Sequence, residues 1–169
     1  TKIRKIIAYL PEEAGAYRNL SGWEYLKFMA KFSSENSDEI KAIINEAAKI
    51  SGLKKRLEDR AKTYSKGMKR RLLVARALMT KPKLAILDEP TSALDVTTQQ
   101  LLIETFRYLK EIGIVETILF ISHDIPVLAQ ICDTCIIMYA GRIVEKGSMD
   151  DIIHNPQHPV FPRSDSTSG

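Results

Sequence analysis

Hydrophobic positions along this chain follow two different spacings, and the change falls near residue 82. Before it, residues 3–10 form an apolar, β-rich run stopped by Pro11, which predicts a strand. Residues 11–19 read as loop. From 21 to 32, Trp23, Tyr25, Leu26, Phe28 and Met29 recur at the spacing of an amphipathic helix. Asn36, with Glu39 three positions on, is a capping box that opens a helix to about residue 50, and Gly52 ends it. A short helical turn is expected around 53–57. Ser65 then caps a long helix carrying Leu72, Leu73, Ala75 and Leu78, terminated by Lys81-Pro82.

After Pro82, strands and helices alternate. A strand at 83–87 precedes a helix at about 96–112 that Gly113 ends. A strand at 117–122 leads to a helix with Asp124 as cap and Pro126 in its first turn. Residues 135–139 and 142–145 make a hairpin around Ala140-Gly141. Ser148 with Asp151 caps a last short helix, and the Pro- and Ser-rich residues that follow are expected to be loose. The reading therefore divides the chain into a first core segment 1–19, a helical insert 20–80, a second core segment 81–153, and a flexible tail 154–169. Alternating strands and helices imply an α/β fold, with a parallel sheet covered by helices. In such sheets ligands sit at the carboxyl ends of the strands.

A chain of 169 residues can bury one sizeable core. Its 44% apolar and 27% charged composition is that of a soluble globular protein. No apolar run approaches the ~18 residues that span a bilayer. The opening Thr1-Lys2-Ile3-Arg4-Lys5 leads into too short a stretch for a signal peptide, so a cytosolic chain is expected. The net charge of +4 comes from scattered basic residues, with one cluster at Lys66, Lys69, Arg70 and Arg71. No stripe with interleaved aromatics accompanies it, so nucleic acid is not an expected partner and the cluster reads as a solvated helix face. Cys132 and Cys135 form a lone C-x-x-C. A zinc site needs two more ligands at suitable spacing, and His154 and His158 lie in the Pro-containing tail, so two half-buried thiols are the simpler reading.

The stretch LAILDEP, Leu84 to Pro90, carries the chemistry. An apolar strand that ends in two acids is costly to bury unless something positive meets them. Mg²⁺ suits that position, because it takes one or two carboxylates and completes its shell with water and phosphate oxygens. On this reading Asp88 supports the metal. Glu89 points differently and is placed to orient or deprotonate an attacking water. His123, at the end of the next strand, lies beside them. A surface pair of acids and a loop histidine are the plain alternatives for each residue alone.

Taken together these stretches resemble the nucleotide-binding domain of ABC transporters. LAILDEP-TSALD followed by ILFISHD matches that family's order. Tyr64-Ser65-Lys66-Gly67-Met68 with KRRLLVARAL is similar to its signature motif and helix. Tyr9-Leu10-Pro11-Glu12 resembles its glutamine loop, and Met138 to Gly147 its hairpin beyond the switch histidine. The resemblance implies a partial P-loop NTPase (RecA-like) sheet with an inserted helical subdomain. It implies Asp88 as the Walker B aspartate, Glu89 as catalytic glutamate and His123 as the histidine that contacts the γ-phosphate. It places Ser92 to Asp95 in the D-loop that crosses to a partner. Ser65, Lys66 and Gly67 fall in the signature turn, an anion site that closes on ATP held by an opposite subunit. Glu12 stands near metal and nucleotide. Implied partners are a second nucleotide-binding domain, as homo- or heterodimer, and transmembrane permease subunits, with the chain peripheral on the cytoplasmic face of the membrane. The sequence departs from the pattern at Lys66, where glycine is usual, at Met68, where glutamine is usual, and at Glu12, which replaces glutamine and cannot donate a hydrogen bond when ionised.

ATP binding also needs G-x-x-x-x-G-K-[ST], whose backbone N–H groups wrap phosphates. None of the eight glycines opens that motif. The resemblance puts it upstream of Thr1, so the chain reads as the C-terminal two-thirds of such a domain. ATP and Mg²⁺ are therefore expected in the complete domain and weakly or not at all in this chain alone. The front half is similar to drug-exporter ATPases, and the back half (SALDVTTQQLL, NPQHPV) to dipeptide and oligopeptide importers. A mosaic or engineered chimera is one explanation, and the closing SDSTSG fits an engineered remnant. A non-catalytic fold or interaction module is the alternative function. A soluble ABC ATPase of translation or DNA repair is a further one, but the long insertions or tandem cassettes of those proteins are not seen.

Overall fold

The computed structural model describes residues 6–159. The first residues of the expected strand at 3–10 and the closing SDSTSG lie outside the described residues. The chain forms two compact units, Thr1–His123 and Asp124–Gly169. The boundary cuts the expected core segment 81–153 immediately after His123.

In the first unit, three parallel strands stand in the order β1 (Ile7–Leu10), β2 (Leu84–Asp88) and β3 (Thr117–Ile121). Register sets Leu10 beside Leu87, Leu87 beside Phe120, and Asp88 beside Ile121. Because side chains alternate across a strand, Leu10, Ala85, Leu87 and Phe120 share one face, and all are buried. That face is covered by α3 (Lys66–Leu78) and α4 (Val96–Glu111). Phe106 of α4 meets Phe120 edge-to-face, ring centroids 5.7 Å apart.

Helix starts follow sequence chemistry closely. Ser21 and Glu24 form a reciprocal capping box on α1 (Gly22–Ala30) that the periodicity alone did not reveal. Asn36 caps α2 (Ser37–Ser51) by accepting from Asp38 and Glu39 backbone N–H. The expected box there is half made: the Glu39 carboxylate takes the Ser34 hydroxyl instead of the cap backbone. Gly52 closes α2 in the left-handed conformation, φ 61°. Two 3₁₀ turns follow, Lys54–Glu58 and Ala61–Thr63, of which only the first was expected.

The second unit begins with α5 (Ile125–Ile131), capped by Asp124 with Pro126 in its first turn. Strands β4 (Thr134–Tyr139) and β5 (Arg142–Ser148) pair antiparallel around Ala140-Gly141. Both turn residues have positive φ, 48° and 75°, as a two-residue hairpin turn of type I′ requires. The expected second strand is longer than its apolar pattern, running on to Ser148. That serine caps α6 (Met149–His154). The start of the expected loose tail is held: Gln157 and His158 donate backbone N–H to the Glu145 carboxylate at 2.9 and 3.0 Å. Cys132 and Cys135 are unbridged, and burial pushes the Cys135 thiol pKa up, with Glu145 adding to it. Among the described residues no helix is long and apolar enough to cross a membrane.

Candidate functional site

Strand β2 carries Asp88 to the carboxyl edge of the sheet and then turns sharply. Glu89 sits in the left-handed region at φ 44°, a strained position for a residue with a side chain. Its N–H donates to the Ile121 carbonyl at 2.9 Å, which ties the turn to the end of β3. The strain aims the Glu89 carboxylate sideways at the residues after β3. It accepts from the Ser122 hydroxyl at 3.2 Å and from the His123 backbone N–H at 3.0 Å, and it meets His123 Nδ1 at 2.7 Å. The Glu89 side chain is 16% exposed while that of His123 is 81% exposed. A carboxylate partner places the proton on Nδ1, so Nε2 is the nitrogen turned away from Glu89. Asp88 shares the other face of the strand with Tyr9, whose hydroxyl donates to Asp88 Oδ2 at 3.2 Å. Loss of solvation raises the Tyr9 pKa, and the bond and charge of Asp88 raise it further. Asp88, Glu89 and His123 are thus brought to one rim.

The other candidates lie elsewhere in the unit. Ser65 caps α3, accepting from Met68 N–H at 3.2 Å. Lys66 is the exposed first residue of that helix, so its backbone is ordinary right-handed helix. The glycine usual at that place is not needed for conformation here. Gly67 is buried against α4, where an added Cβ would lie 2.6 Å from Thr98 Cγ2. Close packing, not φ, demands glycine there. Asp95 caps α4: its carboxylate accepts from Thr98 N–H at 2.9 Å and from Thr98 Oγ1 at 2.7 Å. Those bonds hold its pKa below the ordinary carboxylate value. Glu12 is exposed in the turn after β1, and its carbonyl accepts from Arg70.

Arg70 corrects the expected solvated cluster. Its side chain is buried, 8% exposed, and its guanidinium is surrounded by backbone carbonyls. Arg71 is half-buried beside it in sequence. The apolar neighbours at helical spacing, Leu73, Val74 and Ala77, carry the signal that this face of α3 points inward.

The rim has hard oxygen donors suited to Mg²⁺, which needs few protein ligands. Among the described residues no three His, Cys, Asp or Glu side chains cluster as a closed metal cage. That donor set fits a hydrated ion shared with phosphate oxygens and does not fit zinc.

Residues 1–92 match the family model described as ABC transporter. The chain belongs to the ABC transporter family. It is similar to the oligopeptide transport ATP-binding protein OppD of Mycoplasma genitalium, 44% identical over 65% of this chain and 27% of that protein. It is 38% identical to OppD of Escherichia coli over 80% of this chain and 40% of that protein. The dipeptide transport ATP-binding protein DppD of Bacillus subtilis is 43% identical over 62% and 31% respectively. The chain thus spans about a quarter to two-fifths of the length of these ABC relatives. A dimeric post-hydrolysis structure of the ATP-binding cassette MJ0796, bound to ADP and Pi, shares the fold with a TM-score of 0.74. It is 24% identical, covering 88% of this chain and 65% of that one. The α/β parallel-sheet expectation is borne out, and the chain is homologous to ATP-binding subunits of ABC transporters. The mosaic expectation finds no support in these matches.

Proposed function

We propose that this chain is the C-terminal portion of the ATP-hydrolysing subunit of an ABC transporter that drives peptide uptake. The observation that carries the reading is the rim itself. Asp88 and Glu89 end one strand, and His123, after the next, bonds Glu89 through both its backbone N–H and Nδ1. Asp88 would hold Mg²⁺. The ion, when bound with ATP, supplies charge neutralisation for the transferring phosphoryl group. Glu89 takes the proton of the attacking water, held in aim by Ser122 and His123. His123, when both ring nitrogens carry protons, donates Nε2–H to a phosphate oxygen while Nδ1–H stays on Glu89. Glu12 adds a hard oxygen donor from the neighbouring loop. Ser65, Lys66, Gly67 and the Asp95 turn face a second nucleotide-binding domain in the complete dimer. The outer face of the sheet, with Ile7, Tyr9, Leu119 and Ile121 exposed, offers an apolar seat for a covering layer in the complete domain. Exposed Tyr17, Phe28 and Phe32, stacked edge-to-face on the helical region, suit a membrane permease at the cytoplasmic face. Peptide uptake is preferred because the relatives named above are peptide-transport subunits.

The second reading is a fold or interaction module without catalysis. Uptake by the full protein separates them, whereas nucleotide binding by this chain does not. Titrating this chain with a fluorescent ATP analogue and Mg²⁺ is expected to show no micromolar saturation on either reading. Membrane vesicles holding the gene-encoded full protein and its permease are expected to take up labelled peptide on addition of ATP, and to stop with Asp88→Asn. Uptake that persists with Asp88→Asn contradicts the motor reading.

A further inference from the structure

Two loops meet at Arg70. Nη1 donates to the carbonyls of Pro11 and Glu12 at 3.1 and 3.0 Å. Nη2 donates to those of Asp88 and Glu89 at 2.7 and 2.8 Å, and Nε to that of Pro90 at 2.9 Å. A guanidinium has five N–H donors in a rigid planar fork, so every donor is used. Three segments distant in sequence share one group: the turn after β1, the turn after β2, and α3. Helix α3 begins at the Ser65 cap, five positions before Arg70. Among the described residues no carboxylate forms a salt bridge with this buried cation. Burial pulls its pKa down, and the charges of Asp88, Glu12 and Glu89 oppose that. Carbonyl dipoles and nearby acids together keep it in place.

The strained turn gives the arrangement its consequence. The Glu89 carbonyl accepts both from Arg70 Nη2 and from Ser92 N–H at 3.1 Å. With the Glu89 N–H tied to the Ile121 carbonyl, fixing the Glu89 carbonyl as well holds the left-handed turn at both ends of the residue, and so holds the direction of Cβ and of the carboxylate that grips His123. Because the fork is planar and saturated, displacement of the Pro11-Glu12 carbonyls cannot be absorbed by one N–H alone. It tilts the donors that hold Asp88 and Glu89.

We infer that Arg70 is a positioning residue that mechanically links the Glu12 loop to the aim of the Glu89 carboxylate. The inference rests on the reading of Glu12 and Glu89 as working groups, but the linkage is testable without nucleotide. Hydrogen exchange of the Glu89 and His123 amides reports the turn, because these amides bond Ile121 and the Glu89 carboxylate. Arg70→Lys keeps the charge but offers three donors for five carbonyls. It is expected to speed exchange at both amides about tenfold, with the Val74 amide in the middle of α3 unchanged. Equal acceleration at Val74 reduces Arg70 to a general fold brace and overturns the inference. No change at any of the three amides overturns it as well. Pro11→Gly, which keeps Arg70 and Glu89, is expected to accelerate the same two amides, and this arm decides the matter if Arg70→Lys does not fold. In the Arg70→Lys background the Pro11→Gly effect is expected to vanish. An unaltered Glu89 amide in Pro11→Gly also overturns the linkage. In the gene-encoded full ATPase, Arg70→Lys is expected to lower kcat with KM for ATP little changed. Failure of that last result alone, with the exchange results intact, points to the functional reading and not to the linkage.

Discussion

The two faces of the three-stranded sheet are built from similar residues and do different work. On the inner face Leu10, Ala85 and Leu87 are fully buried and Phe120 is nearly so. On the outer face Tyr9 is 51% exposed and Leu119 47%. Parallel strands are apolar on both sides because both are ordinarily covered. Here helices α3 and α4 cover only the inner side among the described residues. Stability therefore resides in the inner face, while the outer register, Tyr9 beside Ile86 and Asp88 beyond, leads to the chemical rim. Composition alone cannot separate the two faces; the partners of each can.

Substitutions can break or sharpen this contrast. The largest stability loss is expected for Phe106→Ala, which empties the edge-to-face contact with Phe120. Urea denaturation should show a loss of about 3–5 kcal/mol. Leu87→Ala on the inner face follows at about 2–5 kcal/mol. A loss below about 1 kcal/mol at either site would mean that the inner face is not the core. Asp95→Ala removes the cap of α4 and is expected to lower the urea midpoint at neutral pH, by less than either core substitution. Its bonds to Thr98 depress the folded pKa below the ordinary aspartate value of about 3.9. The cap's contribution is therefore present above about that pH and disappears as pH falls through the folded value. Urea midpoints between pH 7 and 2 should converge for the parent and Asp95→Ala at the acid end. The smallest effect is expected for Leu119→Ser on the outer face, within about 0.5 kcal/mol of the parent. A multi-kcal loss there would show that the outer face is packed and erase the contrast.

Much of this was legible in the sequence because the signals are local. Caps at Asn36, Ser65, Asp124 and Ser148 mark helix starts through side chains that bond their own first turn. An apolar run broken by Asp88 and Glu89 marks a strand tip, and the alternation after Pro82 marks parallel pairing. Arg70 was misread because its partners lie 18 to 59 positions away, and a basic run looks solvated until the fold closes around it. The left-handed Glu89 turn was equally hidden, since no glycine announces it. Gly67 was read as part of an anion site, yet Thr98 supplies a packing reason visible only with α4 in place. Glu39 found a nearer hydroxyl than the cap it was expected to serve.

The central claim is that Glu89 performs the proton chemistry at a rim it shares with Asp88 and His123. The most direct measurement is ATP turnover by the gene-encoded full protein carrying Glu89→Gln, alongside its ATP binding. The account predicts turnover lowered about 10²–10⁴-fold with binding retained, the range general-base loss produces. Turnover at the parent rate in a protein that still binds ATP contradicts it.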